Sequence, residues 1–459
     1  MGEPPNPDGT GAGLGTPSRL SRSRLPGLLA PVVQVEGNEI AGLLWSFAFF
    51  FFVLCAYYII RPLRDEMGVS LGPQRLQWLF SAVFVVMLAA VPLFGWVVSS
   101  FARRRIVPIV YGFLIANLLG FWGWFQIGAH GAVVAGTFFV WVSVFNLFVV
   151  SLFWSLMSDL YRSQQATRLY GFIAAGGSAG ALAGPLLTQS LVGIIGPTNL
   201  LLVSAVLLLA ATQSALVLRG LFAGHGARQA EDRPLRKGLL AGAIAVWRSP
   251  YLLRIALWIL IANLVSTLFY LEQARIVGET LADRTQRVQL FARLDLAVSV
   301  ATILAQVFLT SRVLARFGVA RAIAVLPTFA GLGLVGLALS PTLAVIVSIL
   351  AIERALAFAI SNPAVKVLYT VLEPEEKYKA QNFNDTVVFR AGDAASGWIF
   401  NSLAKSLGLS LGAVAALSLP LALLWVALSL RLGRQHAERI AKGPKEGPKE
   451  GAKEAANGA

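Results

Sequence analysis

One cysteine and three histidines in 459 residues leave redox and metal chemistry little to act on. Cys55 excludes a disulfide within the chain, since a bridge needs two sulfurs. His130, His225 and His436 are scattered, and none stands at metal-ligand spacing from a carboxylate or a second histidine, so no metal is expected. No Gly-Lys-Ser or Gly-Lys-Thr follows a strand-like segment, which removes a Walker-type ATPase. No paired carboxylates or His-backed nucleophile stand at a spacing suited to catalysis, so the expectation is no enzyme and no cofactor. Charge is also scarce. Only 13% of residues are Asp, Glu, Lys or Arg, against roughly a quarter in an ordinary soluble domain.

What fills the chain is apolar sequence, 56% of all residues, with a mean hydropathy of +0.70. It comes in blocks near the roughly 20 residues needed to cross a bilayer. The blocks fall at 40–61, 77–100, 106–127, 132–157, 169–193, 198–219, 250–271, 288–311, 319–339, 342–369, 383–407 and 410–431. The expectation is therefore an all-α membrane protein with about twelve transmembrane helices, and its lipid bilayer is the first partner implied. Residues 1–38, rich in Gly, Pro and Ser, lack the short apolar core and cleavage site of a signal peptide and read as a disordered arm. Residues 433–459 end in Gly-Pro-Lys-Glu repeats and read as a disordered tail.

The net charge of +15 could suggest nucleic acid, but its distribution argues for topology instead. Connections 2–3 (Arg103, Arg104, Arg105), 4–5 (Arg162, Arg168), 6–7 (Arg228, Arg233, Arg236, Lys237, Arg248) and 8–9 (Arg312, Arg316, Arg321) are basic. Connections 3–4, 5–6 and 9–10 contain no Lys or Arg. Positively charged short loops stay on the cytoplasmic side, so both termini are expected there, in a bacterial inner membrane, with no nucleic-acid partner. The polar 221–249 segment reads as a cytoplasmic linker between two six-helix bundles, 39–220 and 250–432. Two matches at offsets of about 213 to 216 residues, Phe101-Ala102-Arg103 with Leu314-Ala315-Arg316 and Gln165 with Gln381, fit a parallel repeat.

Ionisable residues inside spans cost several kcal/mol unless they pair or face water, so they mark the candidate site. Tyr57, Arg61, Arg64 and Asp65 are spaced to share one face at the end of the first span, where they could hold an anion. The alternative is that the two arginines snorkel to headgroups. Glu272 and Arg275 stand at the equivalent end of the seventh span. Asn362 and Lys366 form a stripe with Arg354 in the tenth, while Asp385, Arg390 and Asp393 lie in the eleventh. Asp295 reads either as a coupling-proton site or as an interfacial partner of Arg293. In the fifth span Gly176, Gly180 and Gly184 repeat a small-xxx-small spacing that permits close helix packing.

With twelve spans, two halves and Gly95 with Arg103-Arg104 around the 2–3 connection, the chain resembles major facilitator-type transporters. It resembles more closely the ATP:ADP antiporter (nucleotide transporter) family and its free-living bacterial relatives. The stretches that carry this are Tyr58-Ile59-Ile60-Arg61-Pro62-Leu63-Arg64-Asp65, Ser151-Leu152-Phe153-Trp154, Leu271-Glu272, and Glu376 through Asp385 to Arg390-Ala391-Gly392-Asp393. The resemblance implies a secondary transporter exchanging an anionic solute, with ATP and ADP as candidates. It would act by alternating access and as a monomer, with Arg61, Arg64, Lys366 and Arg390 as cationic contacts and Glu272 and Asp393 pairing with them when the site is empty. Val142 and Asp393 depart from that family, which has Glu and Lys there. A facilitator for an unrelated metabolite, lipid or drug, and a non-transporting scaffold or sensor, are the other readings.

Overall fold

A computed structural model describes residues 39–100, 105–127, 131–161, 163–222, 238–403 and 408–441. The described residues form helices and short connections, with no strand among them. This follows from the solvent: a backbone N–H or C=O facing lipid has no water to bond, so each span must satisfy its own polar groups. In the first half α1 (Ile40–Leu71), α2 (Pro73–Ser100), α3 (Ile106–Gln126), α4 (Ala132–Leu160), α5 (Ser163–Ile195) and α6 (Leu200–Phe222) are the six spans.

Next comes α7 (Gly238–Arg248), and then the second half: α8 (Pro250–Thr280), α9 (Arg284–Ala305), α10 (Ser311–Leu339), α11 (Leu343–Leu356), α12 (Asn362–Leu368), α13 (Pro374–Phe383), α14 (Phe389–Asn401), α15 (Leu411–Leu417) and α16 (Leu419–Ala441). Among the described residues 10 helices qualify as spans by length and apolarity, one of them the 56-residue stretch Arg284–Leu339. Gly318, at φ 72°, breaks that stretch into the eighth and ninth spans. The tenth span is α11 and α12, and the twelfth is α15 and α16. The eleventh, α13 with α14, is too polar to qualify on composition yet lies within the second bundle.

Several sequence boundaries move. The first span does not stop at 61: α1 continues unbroken to Leu71, so Arg61 through Glu66 lie within a helix rather than at its headgroup end. The seventh likewise runs on to Thr280. Of the 221–249 linker, residues 238–248 are helical, with Gly242 set against the carbonyl of Lys379 on α13. Residues 433–441 of the supposed tail continue α16. The 1–38 arm, residues 223–237 and residues 442–459 lie outside the described residues.

Each half has its own apolar core. Leu43 through Leu218 of α1–α6, joined by Val288 of α9, form one, with Phe138, Phe145 and Phe153 fully enclosed. Tyr251 through Leu432 form the other, joined by Val69 of α1, Leu76, Val83 and Met87 of α2 and Phe139 of α4. Within the first core α5 lies against α1. A Cβ built on Gly176 or Gly180 would collide with the α1 carbonyls of Phe47 and Phe51, and one on Gly184 would come within 2.9 Å of the Cys55 carbonyl. Close backbone approach of this kind is how helices associate where no hydrophobic effect drives them together.

Candidate functional site

Between the halves lies a cavity of about 550 Å³. The first half contributes Tyr57, Tyr58, Arg61 and Arg64 from α1 and Ser143 and Asn146 from α4. The second contributes Asn263, Thr267 and Tyr270 from α8, Arg354 from α11, and Arg390 and Asp393 from α14. Four arginines thus face one space, where nearby low-dielectric walls strengthen their field. Aromatic side chains hold two of them in place. Arg61 lies over the Tyr58 ring at 5.4 Å from its centroid and Arg64 over Phe139 at 4.9 Å, an attraction of about 0.5–2 kcal/mol each.

Two of the counter-charges, Asp65 and Asp295, sit outside the cationic lining, and Asp393 stands within it beside Arg390. Arg64 donates through Nε and Nη2 to one oxygen of buried Asp65 at 3.1 and 2.7 Å, and the Tyr270 hydroxyl bonds the same oxygen at 3.2 Å. Arg390 Nη1 lies 3.3 Å from Asp393, whose other oxygen accepts from Thr267 at 3.2 Å. Arg61 and Arg354 share a single carboxylate oxygen of Asp295, at 3.5 and 3.6 Å. Arg61 is therefore paired inside the protein, and the snorkelling alternative does not describe it.

A second cavity, of about 450 Å³, shares Ser143, Asn146, Asn263 and Arg390 with the first and adds Asn362, Lys366 and Asp385. Lys366 pairs with Asp385, and both are about half exposed, at 46% and 50%. The pair lies at the end of the tenth span and the start of the eleventh, toward the basic connections. Two π-helical turns shape this region: Ala357–Ser361 follows Arg354, and Asn384–Val388 carries Asp385. Such turns re-aim side chains and recur at functional sites.

At the opposite face the halves are tied together. Buried Glu66 of α1 accepts from Arg284 of α9 at 2.9 Å, with Arg287 at 3.9 Å. The Trp398 indole of α14 donates to Ser81 of α2 at 3.0 Å and packs edge-on against Trp78 at 4.8 Å. Gly397 of α14 permits this approach, since a Cβ there would lie 2.8 Å from the Gln77 Cα. The path formed by the two cavities consequently leads toward the face of the basic connections and is closed by these contacts at the other.

Of the residues singled out from sequence, Tyr57, Arg61, Arg64, Asn362, Lys366, Asp385, Arg390 and Asp393 line these cavities, and Asp65 stands directly behind Arg64. Glu272 and Arg275 do not join them. Glu272 is fully buried, and neither of its oxygens has a hydrogen-bond partner among the described residues, so it does not pair with the cavity cations. Arg275, about one-third exposed, pairs one turn on with exposed Glu279 at 3.2 Å. Their position equivalent to the charged end of α1 is a matter of sequence offset and not of shared surroundings. Asp295, Arg354 and Arg61 were each visible as charges in or at the end of spans, but the pairing of Asp295 with both arginines was not. Arg293, the suggested partner of Asp295, is exposed while Asp295 is buried, because two residues apart on a helix is about 200° of rotation.

Two six-span halves enclosing a cavity lined by four arginines, open toward one face and sealed at the other, define a secondary carrier. The sequence profile of the Major Facilitator Superfamily matches residues 45–383, and the chain belongs to that family. Among solved structures it is similar to the nucleoside transporter NupG (TM-score 0.61, 14% identity, covering 88% of this chain and 99% of that one). It is also similar to a bacterial homologue of the iron transporter ferroportin in an inward-facing state (TM-score 0.57, 12% identity, 88% and 99% covered). These likenesses concern the fold. No curated protein matches the chain in sequence.

Proposed function

We propose that this carrier moves an anionic solute, with nucleotides among the candidates, by alternating access of its two halves. The observation that carries the reading is the convergence of Arg61, Arg64, Arg354 and Arg390 on one cavity, with their acids set behind or beside them. Guanidinium forks bind carboxylate or phosphate oxygens in a bidentate manner, which a neutral solute would leave unused. The resemblance of Tyr58 through Asp65 and of Glu376 through Arg390 to nucleotide exchangers supports nucleotides and exchange in particular, while Val142 and Asp393 depart from that pattern. The test is uptake into proteoliposomes, with ATP, ADP, inorganic phosphate and uncharged nucleosides as competitors. Competition by uncharged nucleosides alone would replace this reading with a neutral substrate.

The basic connections support a cytoplasmic position, in a bacterial inner membrane, for both termini and for the open end of the path. A cysteine introduced as Asp232→Cys is expected to resist an impermeant thiol reagent in intact cells, and one introduced as Ala282→Cys to react. Cys55 is buried and gives no background. The opposite labelling pattern would invert the orientation. Both halves of the pathway come from one chain, so the working unit is a monomer.

Alternating access requires the ties at the closed face to part. Glu66→Cys with Arg284→Cys, bridged by a short thiol cross-linker, is expected to arrest uptake, with recovery on reduction. Undiminished uptake in the bridged protein would show that α1 and α9 do not separate there.

A further inference from the structure

Asp295 stands apart from the other acids of the pathway. It is buried at 2% exposure, and one carboxylate oxygen is divided between Arg61 of the first half and Arg354 of the second. Both arginines line the central cavity, while the carboxylate does not. Its other oxygen has no hydrogen-bond partner among the described residues. Asp295 instead lines an adjoining pocket of about 300 Å³, which shares Tyr58, Arg61 and Phe358 with the central cavity and adds Ser178 of α5 and Ser299 and Thr302 of α9. The Thr302 hydroxyl is also buried without a partner.

Two guanidinium groups share one carboxylate oxygen at 3.5 and 3.6 Å, longer than the about 2.7–2.9 Å of a well-formed charge-assisted bond. Neither fork is used in the bidentate way its geometry allows. The arrangement holds two cations with one acid and leaves a surplus positive charge directed at the cavity. An entering anion thus meets a cationic pair whose existing partner is of the same chemical kind as itself.

Building on the anion reading above, we propose that Asp295 is a displaceable internal counter-ion: an anionic group of the solute, a carboxylate or phosphate, takes its place between Arg61 and Arg354. The carboxylate then turns into the adjoining pocket, where the hydroxyls of Ser178 and Thr302 can donate to it. Affinity for the solute is set by this competition, since the solute must replace an ion pair that the empty protein already makes. The same exchange loosens the Arg61–Asp295 tie between the halves, so Asp295 is a specificity-determining residue that links occupancy to the freedom of the halves to move.

The test uses the full chain in nanodiscs with inorganic phosphate and adenosine monophosphate as probes, measured by titration calorimetry and thermal shift. Asp295→Asn keeps the shape of the side chain and removes the competing charge. It is expected to bind at least one probe about tenfold or more tightly than the wild type. The variant leaves two buried guanidinium groups without an acid and can fail to fold, so a second comparison is built in. Arg354→Gln retains the Arg61–Asp295 pair, and Arg354→Gln with Asp295→Asn removes only the acid from it. The double variant is expected to bind more tightly than Arg354→Gln. A wild type that binds a probe, with folded Asp295→Asn or the double variant no tighter than its parent, overturns the counter-ion role and leaves the anion reading standing. Absence of probe binding to every folded protein, the wild type included, overturns both.

Discussion

Arg64→Ala is expected to abolish uptake of the transported anion while the protein still inserts. Arg64 lies in the cavity over the Phe139 ring, fixed by two bonds to one oxygen of Asp65, which leaves the rest of its fork for a solute. Truncating a buried charged hydrogen-bonding partner costs about 2–5 kcal/mol, so the affinity of an anionic solute should fall by about 100-fold. Removal also strands Asp65, buried at 2% exposure with only the Tyr270 hydroxyl on the same oxygen, at a further cost to stability of about 3–5 kcal/mol. The two effects separate in the double variant Arg64→Ala with Asp65→Asn, which removes the stranded charge. It should recover stability and remain unable to bind. Arg64→Lys should retain part of the activity, since it keeps the charge and loses the planar fork. Arg390→Ala is expected to weaken binding as well, through the loss of a second cavity cation. Unchanged affinity in both alanine variants would assign these arginines to structure alone, as partners of Asp65 and Asp393.

The second large effect is expected at Gly180. A Cβ built there would collide with the Phe51 carbonyl and stand 2.9 Å from the Cys55 amide nitrogen, both backbone atoms of α1. A side-chain clash can be relieved by a rotamer change, but a backbone clash requires the helices to separate. Gly180→Leu should therefore cost more than the about 1–3 kcal/mol typical of overpacking within a core. The separation would also move the face of α1 that carries Arg61 and Arg64. Expression and monodispersity in detergent are the measurements, and Gly193→Leu is the control. A Cβ at Gly193 has only the Gln289 amide at 3.6 Å nearby, the far end of a flexible side chain. Normal yield and uptake for Gly180→Leu would show that α1 and α5 are not held as closely as described.

Much of the architecture was legible in the sequence because lipid is a demanding solvent. The need for about 20 apolar residues per crossing marks spans directly, and the alternation of basic and neutral connections orders them. The eleventh span, carrying Asn384, Asp385, Arg390 and Asp393, was found by the same block length even though it is too polar for a composition threshold. Helix ends were less legible. The charges from Arg61 to Glu66 resemble the end of a span, but α1 continues through them because their partners Asp295, Tyr270, Arg284 and Arg287 lie on the other half.

The pairings were decided only by tertiary structure, for a reason of scale. Asp295 lies two residues from Arg293 in sequence, yet its partners are 234 residues before it and 59 after it, as the positions of Arg61 and Arg354 show. Local spacing reports which side chains share a helix face, and it placed Arg61 and Arg64 together and kept Arg390 one turn from Asp393. It cannot report which face of another helix they meet. Glu272 and Arg275 looked like counterparts of the α1 charges by repeat offset, but that offset fixes position along a helix and not rotation about its axis. By itself, then, the sequence determined a multi-span helical membrane protein in two halves and the helices on which its charges lie. The docking of those halves decided which charges meet in the cavity, which are hidden behind it, and which face is sealed, because each of these depends on contacts between residues that only the fold brings together.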